Sequence, residues 1–259
     1  MEIEYRLDGP ENAPVLVLSN SLGTTWDMWQ VQMPLLRQHF RVLRYNTRGH
    51  GGTPLPAEPL TLARLGRDVV DLLDALNIER AAFCGISLGG LTGMWLNRYA
   101  PERFSAIAIA NTAARIGEPE GWLARAKLVR EQGMEPVAEG SASRWFTPGF
   151  CQQQPEVVKA LITTLAGLNP QGYAACCEAL ATADLRAELP AMTRPMLVIA
   201  GSHDPVTGVA EAQDIVTRAA DARLITLPAS HLSNISCGLQ FSQQLKDFIC
   251  EEISSVVNH

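Results

Sequence analysis

Residues 81–90 read AAFCGISLGG, and the order of residue types in this stretch decides the fold. The first four residues form a short apolar run typical of a buried strand, and the pattern after the glycines is helical until Pro101. Between them, residues 85–89 match G-x-S-x-G, a motif in which a strand turns sharply into a helix. The turn strains the backbone and leaves room only for small neighbours, which the flanking glycines supply. We therefore predict a nucleophile elbow with Ser87 at its tip.

Outward from this stretch, the chain alternates short apolar runs with amphipathic segments, a pattern typical of a mostly parallel sheet flanked by helices. Apolar runs predict strands at 15–18, 41–45, 81–84, around 107–109, 195–200 and 223–227. Helical spacing predicts helices at 61–76, from the elbow to residue 99, from about 210, and around 240–253. The prediction is one α/β core whose strands place their carboxyl ends at a common edge.

The alternation of strand-like and helix-like segments stops between residues 112 and 190, where helix-like segments are broken by prolines and no convincing strand occurs. We interpret this region as a helical cap inserted into the sheet domain. The predicted organisation is therefore an α/β core of residues 1–111 and 191–259, with a cap of residues 112–190.

Composition excludes several classes of function. The chain has 259 residues, of which 47% are hydrophobic and 19% charged, as in ordinary globular domains. A net charge of −6 argues against nucleic-acid binding, which needs a basic surface, and favours a small-molecule partner. The first residues lack the pattern of a signal peptide, and no apolar stretch of about 18 residues is present. We expect a cytoplasmic protein, and the sequence does not indicate its oligomeric state.

The six cysteines are scattered, without the spacing of a metal site. In a reducing compartment such thiols remain free. We expect reduced, structural cysteines, and neither a metal nor another cofactor.

A serine nucleophile needs a base, and the chain offers five histidines. His231 follows the last predicted strand, at the edge where α/β sheets bind ligands, and is the predicted base. His50 lies in a loop after another strand and is the main competitor, although we interpret it as structural. Nothing indicates a chemical role for the other three histidines. His39 lies at a helix end, His203 beside the predicted acid, and His259 at the chain terminus.

The imidazole needs a carboxylate that fixes its tautomer and stabilises its protonated form. Asp204 follows the strand at 195–200 and precedes His231, which gives the order Ser, Asp, His that the G-x-S-x-G motif requires. Asp184 and Asp221 are alternatives, but one falls in the predicted cap and the other beside a strand start. Asp204 is therefore the predicted acid.

The oxyanion of a tetrahedral intermediate needs two N–H donors. The residue after the nucleophile, Leu88, supplies one from the start of its helix. The second is expected from the loop after the strand at 15–18, and we assign it to the backbone of Leu22.

Together these segments resemble the α/β-hydrolase family over nearly the whole chain. The resemblance is carried by the loop at 20–23 (NSLG), the loop at 46–51 (NTRGHG), the Ser87 elbow, residues 201–205 (GSHDP) and His231. Many members have His-Gly where this chain has Asn-Ser at positions 20 and 21. That departure removes a histidine but leaves backbone donation possible.

Residues 18–24 (LSNSLGT), the tryptophans that follow them, and the cap run at 143–148 (SRWFTP) more narrowly resemble bacterial 3-oxoadipate enol-lactonases. This resemblance implies hydrolysis of an enol-lactone to 3-oxoadipate in aromatic catabolism by the β-ketoadipate pathway. The implied substrate carries a carboxylate, for which Arg144 is our candidate partner because a guanidinium can bind it in two places. Trp145, its neighbour, is the expected wall of the pocket.

Other functions remain open at this stage. A general carboxylesterase or a perhydrolase would use the same three residues, and a small-molecule receptor could retain the fold with little turnover. Haloalkane dehalogenation is disfavoured because it requires an aspartate where this elbow presents Ser87.

Overall fold

The computed structural model describes residues 2–257, and a seven-stranded sheet runs through the middle of them. The strands are β1 (Tyr5–Asp8), β2 (Val15–Ser19), β3 (Arg41–Tyr45), β4 (Ala81–Ile86), β5 (Phe104–Ala110), β6 (Met196–Gly201) and β7 (Ala222–Leu227). They are arranged in the order β1-β3-β2-β4-β5-β6-β7, and only β1 runs antiparallel to its neighbour. The predicted mostly parallel sheet is confirmed.

Helices fill the intervals between strands. They are α1 (Met33–His39), α2 (Leu62–Ala75), α3 (Leu88–Tyr99), α4 (Pro119–Gln132), α5 (Glu135–Trp145), α6 (Pro148–Gln153), α7 (Pro155–Ala166), α8 (Pro170–Thr182), α9 (Val209–Arg218), α10 (Ser233–Ser236) and α11 (Gly238–Val257). Because crossovers between parallel strands are right-handed, α1 covers one face of the sheet and α2, α3 and α9 cover the other. The contacts agree, since α1 packs on α11 while α2 packs on α3.

The core strands β4 and β6 are buried along their whole length. Layers of helices on both faces exclude water from such strands, which is why their sequences are continuous apolar runs. Strand β1 was not predicted, because its sequence YRLD is polar and half-exposed at the edge of the sheet. Its register opposite β3 is supplied by tertiary pairing that its local sequence does not indicate.

Five helices, α4 to α8, form the segment between β5 and β6, and the predicted helical insertion is confirmed. Helix α4 packs along α8, and α5 packs on α7. The exact limits of this cap, 112 and 190, stay a prediction.

All six cysteines have free thiols. Among residues 2–257, none of the helices combines the length and apolar character needed to cross a bilayer.

Candidate active site

The turn between β4 and α3 places Ser87 at the carboxyl edge of the sheet. Ser87 has φ 57° and ψ −110°, a conformation that non-glycine residues rarely adopt. A Cβ atom on Gly85 would lie 2.1 Å from the carbonyl oxygen of Gly89, and one on Gly89 would lie 2.3 Å from the carbonyl oxygen of Ser19. The two glycines of the motif therefore allow three backbone segments to meet behind the serine.

Asp204 and His231 are hydrogen-bonded, with 2.8 Å between Asp204 Oδ2 and His231 Nδ1. Asp204 lies in the loop after β6 and His231 in the loop after β7, and both side chains are buried. The backbone N–H groups of Val206 and Thr207 donate to Asp204 Oδ1 at 2.8 and 3.2 Å. The predicted acid and base are thus brought together, and among residues 2–257 the Nε2 atom of His231 forms no hydrogen bond.

The pKa of Asp204 reflects a competition between burial and these donors. Burial by itself raises it, but the hydrogen bond and charge of His231, helped by the Val206 N–H and the Asn111 amide, hold the pKa below its usual value. The carboxyl is therefore ionised at neutral pH, as a partner of an imidazolium must be.

Ser87 and His231 line the same cavity, of about 340 Å³. Among the described residues no hydrogen bond joins their side chains. Such contacts are often long in ligand-free enzymes and tighten when substrate is bound. Asp184, the alternative acid in the predicted cap, instead pairs with Arg186 at the surface.

The predicted oxyanion donors flank this cavity, since Leu22 lines it and Leu88 begins α3 beside Ser87. The N–H at the start of a helix has no partner within it. Within residues 2–257, the Leu22 N–H also donates to no other group. Both donors are free to bind a ligand oxygen.

His50, the alternative base, is buried behind the loop that carries Leu22. Its Nε2 accepts a hydrogen bond from the Gly23 N–H at 3.0 Å, and its Nδ1 lies 3.1 Å from the Arg48 carbonyl oxygen, to which it donates. Burial lowers the pKa of His50, and the Arg48 contact opposes this only in part. Both nitrogens are used, so a structural role fits better than catalysis.

Asn20, in the position where many relatives have histidine, also holds this loop. Its amide donates to the Tyr45 carbonyl oxygen at 3.0 Å and accepts from the Trp29 indole at 2.9 Å. Asn20 therefore anchors the loop to the end of β3 and to Trp29.

Two guanidinium groups also line the cavity, the predicted Arg144 and a second, Arg125, which was not predicted from the sequence. Arg144 donates to the Val137 carbonyl oxygen at 3.0 Å, and Arg125 lies 4.8 Å above the ring of Trp122. Burial lowers the pKa of Arg144, and repulsion from Arg125 lowers it further. Among residues 2–257 neither arginine forms a salt bridge with a carboxylate. Glu118 also lines the cavity but pairs with Arg115, so these two partly buried cations are expected to attract another anion.

Aromatic side chains form the rest of the wall. Trp145, as predicted, lines the cavity together with Trp122 and Tyr173, which were not predicted. Burial raises the pKa of Tyr173 to about 12, although Arg125 opposes the shift, so its hydroxyl stays protonated. Trp122 and Arg125 lie three residues apart on α4, a spacing that indicates a shared helix face but not which face meets the cavity.

A serine elbow, an aspartate–histidine pair at the carboxyl edge and a helical insertion together define an α/β hydrolase, and the α/β hydrolase fold family matches residues 14–236. The chain belongs to this family. It is 50% identical to 3-oxoadipate enol-lactonase 2 of Acinetobacter baylyi over 233 residues, covering 90% of this chain and 87% of that protein. It is 44% identical to 3-oxoadipate enol-lactonase 1 of the same organism, covering 95% and 92%. The crystal structure of the enol-lactonase from Burkholderia xenovorans LB400 aligns with a TM-score of 0.94 at 44% identity, covering 96% of each chain.

Proposed function

We propose that this chain is a 3-oxoadipate enol-lactonase, a serine hydrolase that uses Ser87 as nucleophile, His231 as base and Asp204 as its orienting acid. The two relatives from Acinetobacter baylyi carry this activity in their names at 50% and 44% identity. The observation in this chain that carries the proposal is one cavity containing Ser87, His231 and two guanidinium groups that form no salt bridge within residues 2–257. It fits a lactone that bears a carboxylate.

In this mechanism His231 removes the proton of Ser87 as the serine oxygen attacks the lactone carbonyl carbon. The negative charge on the carbonyl oxygen is bound by the N–H groups of Leu22 and Leu88. Collapse of this intermediate breaks the ring C–O bond and releases an enolate, which becomes a ketone on receiving the proton from the imidazolium. The leaving group remains attached to the acyl group, because both belong to one opened ring.

The second half of the reaction uses water. His231 takes a proton from a water molecule that attacks the acyl-enzyme, and Ser87 leaves with that proton. The sum of the two steps is one lactone and one water converted to 3-oxoadipate. Asp204 holds the imidazole in the required tautomer throughout and stabilises its protonated form.

We assign the substrate carboxylate to Arg144, with Trp145 as the wall beside it. Arg125 adds positive charge to the same cavity without having an acidic partner among the described residues. The partner is thus an anionic small molecule. The six unpaired thiols agree with a reducing, cytoplasmic setting.

Ultraviolet monitoring of enol-lactone loss by the purified wild type and by Ser87→Ala tests the proposal. The wild type is expected to hydrolyse the lactone, and the variant to lose about 10³-fold or more of kcat. Circular dichroism controls for folding of the variant. Equal activity of the two proteins, or a wild type that hydrolyses neutral esters but not the lactone, would contradict the assignment, the latter favouring a general carboxylesterase.

A further inference from the structure

The last residue of β5 and the two residues after it lie between the serine elbow and the loops that carry the acid and the base. On one side, the Ser87 N–H donates to the Ala110 carbonyl oxygen at 2.9 Å, and Thr112 Oγ1 donates to the Ser87 carbonyl oxygen at 2.8 Å. These contacts hold the nucleophile. The residue between them, Asn111, faces the opposite way.

The Asn111 side chain is buried and forms hydrogen bonds to three residues in two segments, one after β6 and one after β7. Its Nδ2 donates to Asp204 Oδ2 at 3.1 Å and to the Ser230 carbonyl oxygen at 3.0 Å. Its Oδ1 accepts from Ser233 Oγ at 2.6 Å. One amide therefore contacts the acid directly and holds the residues on both sides of His231.

The hydrogen-bond partners determine which side of the Asn111 amide carries the NH₂ group and which carries the oxygen. The two acceptors, a carboxylate and a carbonyl, require the NH₂ group, and the hydroxyl of Ser233 can donate to the amide oxygen. The backbone of Asn111 has φ 48°, in the left-handed region where asparagine, aspartate and glycine are favoured. Of these three residues only asparagine supplies both donors and the acceptor.

We propose that Asn111 is a positioning residue of this active site, which aims Asp204 at His231 and holds the two loops at a fixed separation from the serine elbow. The inference rests on the proposed function, because it gives Asp204 and His231 their roles. Asp204 Oδ2 then has three donors, His231 Nδ1, Asn111 Nδ2 and the Thr207 hydroxyl at 3.0 Å. Removing the amide leaves the carboxylate oriented by fewer bonds and releases the Ser230 carbonyl.

Electrostatics gives this role a readout that a purely structural role lacks. The charged groups that face the Asp204–His231 pair across the cavity are Arg144 from α5, Arg125 from α4 and Glu118 before α4. None of them changes when Asn111 is replaced. A carboxyl at position 111 would lie so close to Asp204 that the two buried groups cannot both ionise, and it would share one proton with Asp204. Loss of the amide donor in a glycine variant leaves the Asp204 charge less neutralised, which stabilises the protonated imidazole, so a higher pH is needed to obtain the neutral base.

The test measures the pH dependence of kcat/KM for Asn111→Asp and Asn111→Gly, two replacements that tolerate the left-handed backbone. We expect kcat to fall tenfold to hundredfold in Asn111→Gly, with the acidic limb of its pH profile shifted to higher pH. We expect a smaller shift in Asn111→Asp, whose protonated carboxyl keeps one donor towards Asp204. KM should change little. The matched control Thr112→Val removes the neighbouring hydrogen bond and is expected to lower kcat without moving the limb.

Acidic limbs that coincide with that of the wild type in both Asn111 variants would overturn the inference. If either variant fails to fold, Ser233→Ala removes only the donor that orients the amide. It is expected to lower kcat about threefold to tenfold with a small upward shift of the limb, and an unchanged kcat and limb would count against the role.

Each profile is measured with the enol-lactone and with p-nitrophenyl acetate, beside wild type and Ser87→Ala. The Asn111 variants could have the same acidic limb as the wild type while lactone hydrolysis still depends on Ser87. That result would remove only the role of Asn111. A wild type that hydrolyses the acetate but not the lactone would remove the proposed substrate, while the acetate profiles would still test Asn111.

Discussion

At the scale of single residues, His50 shows how a side chain outside the chemistry supports it. Its imidazole accepts the Gly23 N–H next to the proposed donor of Leu22, and it can do so only when neutral. Protonation would convert the acceptor into a second donor facing an N–H group. The loop at 20–23 thus depends on an uncharged His50.

This dependence predicts a loss of stability in mild acid. Because burial lowers the pKa of His50, the unfolded chain binds a proton near pH 6.5 that the folded chain does not. The stabilisation is fully present above that pH and is lost as the pH falls through the folded-state pKa, by up to about 1.4 kcal/mol per pH unit. Urea unfolding from pH 7.5 to 5.5 measures it.

His50→Gln is expected to weaken this pH dependence, whereas His39→Gln, at an exposed helix end, should retain it. A wild-type free energy of unfolding that stays constant across the range, or equal slopes in both variants, would contradict the account of His50.

Arg144 carries a prediction about specificity. Arg144→Leu should raise KM for the anionic lactone by about tenfold to hundredfold, as expected from losing a charged hydrogen bond, and leave KM for a neutral ester nearly unchanged. Steady-state kinetics on both substrates measures the difference, and the neutral ester is the control for folding. Equal effects on the two substrates would remove Arg144 from substrate binding.

At the scale of elements, the elbow between β4 and α3 depends on close approach of backbones. Gly85→Ala would place a Cβ against the carbonyl oxygen of Gly89, which cannot move without displacing α3. We expect a loss of about 3 kcal/mol in the free energy of unfolding, together with most of the activity.

Gly149→Ala, in the exposed helix α6, is the matched control for the elbow. A Cβ there meets nothing within 4 Å, so its stability should remain within about 1 kcal/mol of the wild type. Denaturant unfolding compares the two variants. A folded and active Gly85→Ala would show that the elbow is less constrained than its geometry implies.

The elements also show what the sequence could predict. Six of the seven strands were predicted because buried parallel strands are continuous apolar runs with sharp ends. Strand β1 was missed because an edge strand needs no such run. Ser87 and Asp204 could be predicted because the motif and chain order restrict them to strand ends, and the Asp204–His231 hydrogen bond agrees with the predicted pairing.

Asn111 and Arg125 could not be predicted in the same way. Asn111 falls at the limit of the predicted core, but no local pattern indicates a role for it, since its partners lie 93 and 119 residues away in sequence. Arg125 is one arginine among several on cap helices, and only the packing of α4 along α8 turns it towards the cavity. Residues that act through distant contacts leave no local signal.

At the scale of the whole molecule, the sheet brings five separate loops to one edge and the cap helices close a cavity over them. The core supplies Ser87, Asp204, His231 and the oxyanion donors, while the cap supplies Arg144 and Arg125. In the proposed function, this division assigns bond-breaking chemistry to the core and recognition of the substrate carboxylate to the cap.

The central claim is that Ser87 forms a covalent acyl-enzyme with the lactone. Rapid acid quench of wild type mixed with excess enol-lactone, followed by mass spectrometry of the peptide containing Ser87, tests it most directly, with Ser87→Ala as control. Because the opened ring keeps its leaving group, we predict that this peptide gains the mass of one complete lactone and that the control peptide gains nothing. The claim would be contradicted if the lactone is turned over but the samples quenched within the first catalytic cycle contain no adduct. An adduct on another residue would also contradict it.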